Sequence, residues 1–470
     1  MIFQKFEDIN IDNFPIIIFG SGPAGMTTAL ELEKKNIPSI IIEAGESEYS
    51  SNSQDMYNGK IIGDKIESLS NSRLRQLGGT SGHWGGWCKP MEAYNFKDWP
   101  IRKEDLDPYQ KKTCSILNIN NQFKKTKLNN YFDQIEFKYS NVRFAEKYKR
   151  YIKKSKKIHL LLNCQLSHFV GDMRKIKSAV CFFENKTKEI KSKYFVLACG
   201  GIENSRILLW TKEKNINLFN KNLPMGEYWM NHPWIISGVG LINKKKLKEK
   251  LNDQFIEYDG PLHFASRKNL IEEKKILSAS MYMSAKEDTK LHKEIIKDIL
   301  CVAPEYGKKI ASLIFNKSLK CGNIFMQLEE SPNKNNKIKL DYYEKDKFNI
   351  PIVNLFYKQS KKSLVAAKTF LKEFGNYCID ENLGRIAAKD NIHNLESFDN
   401  LGGHHHLGGT NMGEDKSKSV VDSNLKVHDI KNLYIAGSSS FATSGYTNPT
   451  YTIVQLSLRL ADELHSKLNT

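Results

Sequence analysis

The chain has 470 residues, 40% of them apolar and 26% charged. That length and balance fit two or three folded domains and exclude a disordered linker, a collagen-like fibre and a membrane channel. The 71 basic and 53 acidic side chains give a formal charge of +18, but the lysines are spread out. The runs at Lys153–Lys157 and Lys244–Lys250 carry no interleaved stacking aromatics and no nucleic-acid motif, so they read as solvated faces and nucleic acid is not an expected partner.

The first apolar run, Phe14–Phe19, is far shorter than the ~20 residues of a membrane-spanning helix. It follows Glu7, Asp8 and Asp12 and leads into glycines rather than a cleavage site, so neither an integral membrane segment nor a secretory signal is expected. The expected location is cytoplasmic. The eight cysteines are widely spaced with no C-x-x-C pair, which points to buried thiols in a reducing compartment and to no metal site.

From Pro15 the sequence reads as strand, tight turn and helix: Pro15-Ile-Ile-Ile-Phe, then Gly20-Ser21-Gly22-Pro23-Ala24-Gly25, then a helical composition over Met26–Lys35. In this G-x-G-x-x-G pattern Gly20 permits the turn, Gly22 lets backbone approach a pyrophosphate and Gly25 lets helix and strand pack closely. The helix N-terminus supplies unpaired N–H groups for the phosphates. A second strand, Pro38–Ile42, ends in Glu43, at the offset where a carboxylate accepts hydrogen bonds from a ribose. A carboxylate there disfavours a 2′-phosphate, leaving FAD or NAD.

A simple nicotinamide dehydrogenase would continue into further βαβ units, but this chain does not. It runs instead into Arg73-Leu-Arg75-Gln-Leu-Gly-Gly79-Thr80-Ser-Gly-His83-Trp84-Gly-Gly-Trp87, whose glycines suit backbone wrapped around a large planar ligand. Here the sequence resembles the GMC (glucose–methanol–choline) flavin oxidoreductases, most closely their sugar-oxidising branch of pyranose oxidases and of fructose and gluconate dehydrogenase large subunits. The likeness extends through Lys193–Arg206, Ile324–Pro332 with Asn336–Leu340, and Val420–Thr450.

The resemblance implies an α/β plus α+β fold in which a Rossmann-like FAD-binding domain is interleaved with an antiparallel-sheet substrate domain. The FAD domain is expected from residues 1–100, 157–235 and 401–470, a connecting or lid segment from 101–156, and the substrate domain from 236–400. Lys244–Leu319, which matches family motifs poorly, is expected to form lids. The chain stops after the helical run Leu456–Leu468, so no membrane anchor or cytochrome module is expected. Expected contacts to FAD are Gly20, Ser21, Gly22, Pro23, Ala24, Gly25, Glu43, Arg75, Gly79, Thr80, His83, Leu166, Ala198, Gly200, Gly437, Asn448, Pro449 and Thr450. His83 in its S-x-H-W setting matches the histidine that binds FAD covalently in pyranose oxidases, whereas Gly85 departs from the covalent pattern; both attachment and simple contact stay open.

Oxidising a C–OH group requires a base for the hydroxyl proton while hydride leaves for flavin N5, and histidine suits that task at neutral pH. The tract Gly402-Gly-His404-His405-His406-Leu-Gly408-Gly409-Thr410-Asn411-Met412-Gly413 resembles the family's H-x-x-G-T-x-R-M-G. The ungapped register selects His405 and the register on Gly409-Thr410 selects His406; His405 is preferred, and the family's arginine becomes Asn411. Asn448 falls on the second catalytic position, with an orienting role, and His232 is expected to serve packing. The implied activity is oxidation of a sugar or glycoside CH–OH group, with electrons passing to oxygen, a quinone or a redox protein. A non-sugar alcohol substrate and a non-catalytic flavin-binding partner protein are the alternatives, and a homo-oligomer is compatible with each.

Overall fold

The run Ile16–Phe19 has no polar residue, and a strand apolar on both faces is stable only inside a sheet covered on both sides. In the computed structural model, which describes residues 1–3, 6, 9–172, 174–184, 186–220, 222–251, 262–283, 319–394 and 404–469, it lies within a six-stranded sheet. The order is Ile2–Phe3, Ile158–Leu161, Ser39–Ile42, Ile16–Phe19, Tyr194–Leu197 and Leu433–Ile435, every pair parallel. The helix Pro23–Lys34 packs against the C-terminal helix Thr450–Asn469. The helix Gly200–Lys214 packs against the first strand of an antiparallel ribbon, Gln165–Asp172, Lys175–Phe183 and Lys186–Ile190.

The second layer is an antiparallel sheet of seven strands in the order Gly384–Ala388, Trp234–Asn243, Leu319–Leu328, Ala279–Met283, Leu262–Ser266, Phe132–Ile135 and Lys125–Lys127. Its strands alternate as one-sided strands should. Ile324, Met326 and Leu328 are buried in one cluster with the helix Lys361–Asp380, while Phe325 and Gln327 stay half-buried on the face toward the first layer. Phe132 meets Phe370 and Phe374 edge-on at centroid distances of 4.9 and 5.1 Å, a T-shaped geometry favoured by the ring quadrupoles. This is the Rossmann-like sheet with an antiparallel second sheet that the sequence motifs imply.

Two pairings depart from the expected segment roles. The stretch 101–156 supplies two strands to the edge of the large sheet, and Gly59–Gly63 runs parallel to Pro351–Tyr357 in a small sheet with Lys337–Lys345. Both joins link residues far apart in sequence, and such edge pairing leaves no short-range signal. The lids expected over Lys244–Leu319 fall largely on 252–261 and 284–318, which lie outside the described residues, as do Glu7, Asp8, Cys301, Gly402 and Gly403. Among the described residues no helix is long and apolar enough to cross a membrane. Cys88, Cys114, Cys164, Cys181 and Cys378 are buried free thiols, and Cys199 is a half-buried one.

Phe370 is fully buried at the join between the large sheet and its helix. Phe370→Ala is therefore expected to lower stability by about 3–5 kcal/mol through the cavity it leaves, read as a shift in the urea unfolding midpoint.

Candidate active site

The strands Ile16–Phe19, Tyr194–Leu197 and Leu433–Ile435 are neighbours and end at the same edge of the sheet. Each is followed by a glycine with positive φ, Gly20 at +102°, Gly200 at +89° and Gly437 at +119°. All three turns open into one cavity of about 450 Å³, at the carboxyl ends of the strands where open α/β sheets bind ligands. A Cβ on Gly20 would lie 2.4 Å from the Ala198 carbonyl oxygen, and one on Gly25 would lie 1.9 Å from that of Gly20. Gly22 differs, because no atom stands within 4 Å of where its Cβ would be. It is also the N-cap of the helix Pro23–Lys34 without a side-chain cap, so bare backbone and unpaired N–H groups face the cavity.

Glu43 lies at the end of the next strand and lines the same cavity. One carboxylate oxygen accepts from Ser21 N at 2.9 Å and Ser21 Oγ at 2.6 Å, the other from Gly45 N at 2.8 Å. Glu43 thus ties the glycine turn to the neighbouring strand end. Ser21, Gly22, Pro23, Ala24, Gly79, Thr80, His83, Leu166, Ala198, Gly200, Gly437, Asn448, Pro449 and Thr450 line this cavity, whereas Gly25 lies behind its wall. Arg75 also lines it, with its guanidinium donating to Ser53 Oγ and Gln165 Oε1, both at 2.6 Å. Tyr57 and Glu203 are lining residues that the motifs did not single out. Glu203 is buried, which raises its carboxyl, but Arg206 and Arg73 outweigh that and hold it below the usual carboxylate range.

The histidine tract is fixed by backbone on two sides. Leu407 exchanges two hydrogen bonds with Met230, at 2.8 and 3.0 Å, and Gly408, Thr410 and Met412 donate in turn to the carbonyls of Ser438, Ser439 and Ser440. The first pairing places His405 beside His232, with the two Nδ1 atoms 2.8 Å apart and the rings nearly perpendicular. His405 Nε2 lies 3.4 Å from Asn448 Nδ2 at the cavity wall. His406 turns to another wall, where its Nε2 is 3.0 Å from Ser72 Oγ and its ring packs on Trp229. His404 is exposed, with φ +48°. Asn411 anchors the following loop by donating to the Lys418 carbonyl at 2.7 Å.

Burial lowers the basicity of these rings. His405 falls well below the ordinary histidine value through burial and the neighbouring His232, His404 and His406. His232 falls to about 4 through burial, and His406 to about 3 through burial and Arg73. His83 is lowered too, by burial and then by His404 and Arg143. The arrangement therefore holds neutral histidines beside an amide, next to a cleft built for a dinucleotide. His232, Ser72 and Gln327, whose Nε2 donates to the Tyr446 carbonyl at 2.8 Å, were not legible as site residues. Only their approach across the fold places them there.

Fold and site together define a dinucleotide-binding protein of two layers with a histidine and an asparagine at their junction. Residues 332–457 match the GMC oxidoreductase family model. The chain is 24% identical over 298 residues to the fructose dehydrogenase large subunit of Gluconobacter japonicus, covering 62% of this chain and 51% of that protein. It is 24% identical over 288 residues to 2-methyl-1,2-propanediol dehydrogenase of Mycolicibacterium austroafricanum, covering 60% and 49%. The chain thus spans about half the length of the curated relatives it matches. Pyridoxine 4-oxidase from Mesorbium loti shares the fold at a TM-score of 0.63 and 12% identity, over 97% of this chain and 99% of that one. A variant formate oxidase of Aspergillus oryzae, studied for FAD modification, does so at 0.59 and 14%, over 98% and 99%. The match over residues 332–457 makes that part of the chain similar to GMC oxidoreductases, and the solved structures share its overall fold.

Gly22→Val is expected to leave stability within about 0.5 kcal/mol while abolishing tight dinucleotide binding, measured by thermal unfolding and FAD titration. Gly25→Val is expected to prevent folding, because its side chain would enter the Gly20 carbonyl. A further expectation concerns Glu330, fully buried behind the site, where burial lifts its carboxyl from 4.5 to about 7 despite bonds from Tyr357 Oη at 2.7 Å and Ser360 N at 2.9 Å. Between those pH values the folded state keeps a proton that the unfolded chain releases, so stability is fully present below pH 4.5 and falls as the pH rises to about 7. The loss is on the order of 3 kcal/mol, and urea midpoints across that window should show it disappear in Glu330→Gln.

Proposed function

We propose that this protein is an FAD-dependent oxidoreductase that converts a CH–OH group of a sugar or related polyhydroxy compound to a carbonyl. The observation that carries this reading is the His405–Asn448 pair, 3.4 Å apart on the wall of the cavity into which the dinucleotide turn opens. The cavity fits the cofactor chemically: open space over Gly22 and the uncapped helix N-terminus suit a pyrophosphate, and Glu43 suits a ribose. Thr80, His83 and Asn448–Thr450 would hold the flavin end. When bound, FAD supplies the hydride acceptor.

His405 takes the hydroxyl proton on Nε2 as the C–O bond becomes C=O and the adjacent C–H leaves as hydride. Asn448 bonds the substrate oxygen and holds it beside the base, an orienting role. The C-terminal helix begins at Thr450, just after Pro449, and its positive end at the cavity would favour negative charge on a bound flavin. His406, bonded to Ser72 and packed on Trp229, forms wall rather than base.

The half-buried row Trp234, Phe325 and Tyr282 stacks at centroid distances of 5.6 and 4.9 Å on the large-sheet face that also carries Gln327. Flat apolar rings beside an amide suit a sugar ring, whose C–H faces pack on aromatics while its hydroxyls bond polar groups. The name of the fructose dehydrogenase relative supports a sugar; that of the propanediol dehydrogenase supports the second reading, a simple aliphatic alcohol. Electrons pass on to oxygen, a quinone or a small redox protein, and the free thiols support a cytoplasmic location.

The test is anaerobic addition of sugar, glycoside and simple-alcohol pools to the purified yellow protein. Bleaching of the flavin band by a sugar pool is expected, and bleaching by the alcohol pool alone would select the second reading. His405→Ala should keep the yellow colour and bleach about 10²–10⁴ times more slowly. A colourless protein that cannot be reconstituted with FAD would overturn the proposal. Acid denaturation resolves the attachment: flavin that stays with the precipitate in the native protein but not in His83→Ala is bonded to His83, and flavin that is released is only in contact.

A further inference from the structure

The geometry points to His232 as a positioning residue that fixes the ring tautomer of His405, so that His405 presents an unprotonated Nε2 to the cavity. The inference rests on the reading of His405 as the base, and deepens it.

The Ser444 carbonyl can only accept, so His232 Nε2, 3.0 Å away, carries a hydrogen and donates it. His232 is fully buried; its ring meets His405 at Nδ1, the Ser444 carbonyl at Nε2 and the Gly445 backbone, and among the described residues no carboxylate is bonded to it. A neutral ring with hydrogen on Nε2 has a lone pair on Nδ1, and burial, which lowers its basicity to about 4, keeps it neutral. Two ring nitrogens 2.8 Å apart share a single hydrogen, which must then come from His405 Nδ1. A neutral His405 with hydrogen on Nδ1 is bare on Nε2, the atom 3.4 Å from the Asn448 side chain.

Both ends of this chain are anchored. The Met230–Leu407 bridge holds the two histidine segments in register, and Asn231 Oδ1 accepts from the His405 backbone N at 3.2 Å. At the far end Ser444 Oγ accepts from Glu330 N at 2.8 Å. On the cavity side, Gln327 Nε2 stands 3.5 Å from Asn448 Oδ1, which turns the Asn448 amide group toward His405. When His405 takes a proton on Nε2, its Nδ1–H stays bonded to His232, so the ring need not turn. A tautomer fixed the other way would place hydrogen on the atom that has to receive the proton.

The decisive measurement is a long-range ¹H–¹⁵N spectrum of the full chain with its FAD, labelled with ¹⁵N-histidine, with the His405 signals assigned by their loss in His405→Ala. The Nδ1–H form is expected for His405 and the Nε2–H form for His232; a native His405 carrying hydrogen on Nε2 would overturn the inference. In His232→Asn an acceptor remains near the old Nδ1, so the His405 tautomer should persist with kcat within about tenfold of native. In His232→Gln no acceptor remains there, and the tautomer should invert with kcat falling about 100-fold or more while KM changes little. A packing role alone would leave the tautomer unchanged in both variants, and that result would also overturn the inference. Should either variant fail to fold, the native spectrum still decides. Activity retained in His405→Ala, with the native tautomer as described, would instead remove the base assignment and leave the tautomer chain standing.

Discussion

A pyrophosphate approaches closely where bare backbone is offered to it, and three glycine turns of this protein open into one cavity. Three adjacent parallel strands end at the same edge, and each turns on a glycine in a left-handed conformation that other residues adopt with strain. The strands come from residues 16–19, 194–197 and 433–435. The antiparallel layer is carried by segments inserted between them, its strands coming from residues 125–135 and 234–388. The placement of His405 and Asn448 at a junction of two layers follows from that interleaving.

The junction is held by buried polar groups as well as by apolar packing. Arg73 reaches Glu203, Glu203 reaches Arg206, and Arg206 reaches Asp346, which ties the loop before Gly79 to the helix Gly200–Lys214 and the small sheet. Buried ion pairs of this kind add little net stability, since desolvation offsets attraction, but breaking one leaves a buried charge and is strongly destabilising. Their effect is to allow one relative placement of the segments. The histidine tract is treated likewise: its backbone is bonded on one side to Met230 and on the other to Ser438–Ser440. The proposed role of His405 as a base within reach of a substrate oxygen would need that two-sided hold.

Burial sets the electrostatics. His405, His232 and His406 are each held below ordinary histidine basicity by desolvation, and among the described residues no carboxylate is bonded to their rings to restore it. A neutral imidazole in a dry site is ready to accept a proton, and the direction of its hydrogen bonds then matters more than its charge. Glu330, raised to about 7, shows the same desolvation acting on a buried acid, which bonds Tyr357 and the Ser360 backbone.

Local sequence determined the strand, turn and helix of residues 16–34, because close packing at Gly20 and Gly25 and bare backbone at Gly22 are demands that a short stretch states completely. It also determined the apolar core of the parallel sheet, where runs such as Ile16–Phe19 can lie only between covering layers. The tract His404–His406 announced a cluster of imidazoles, yet which ring faces the cavity was not contained in it. Adjacent residues point in different directions, and only the Met230–Leu407 pairing, linking segments more than 170 residues apart, turns His405 to Asn448 and His406 to Ser72. For the same reason His232 read as packing, and the strands at Phe132–Ile135 and Gly59–Gly63 were not assigned to their sheets. Patterns of glycine and hydrophobicity answer to neighbours in the chain, whereas ring orientation and edge pairing answer to neighbours in space, which tertiary structure alone decided.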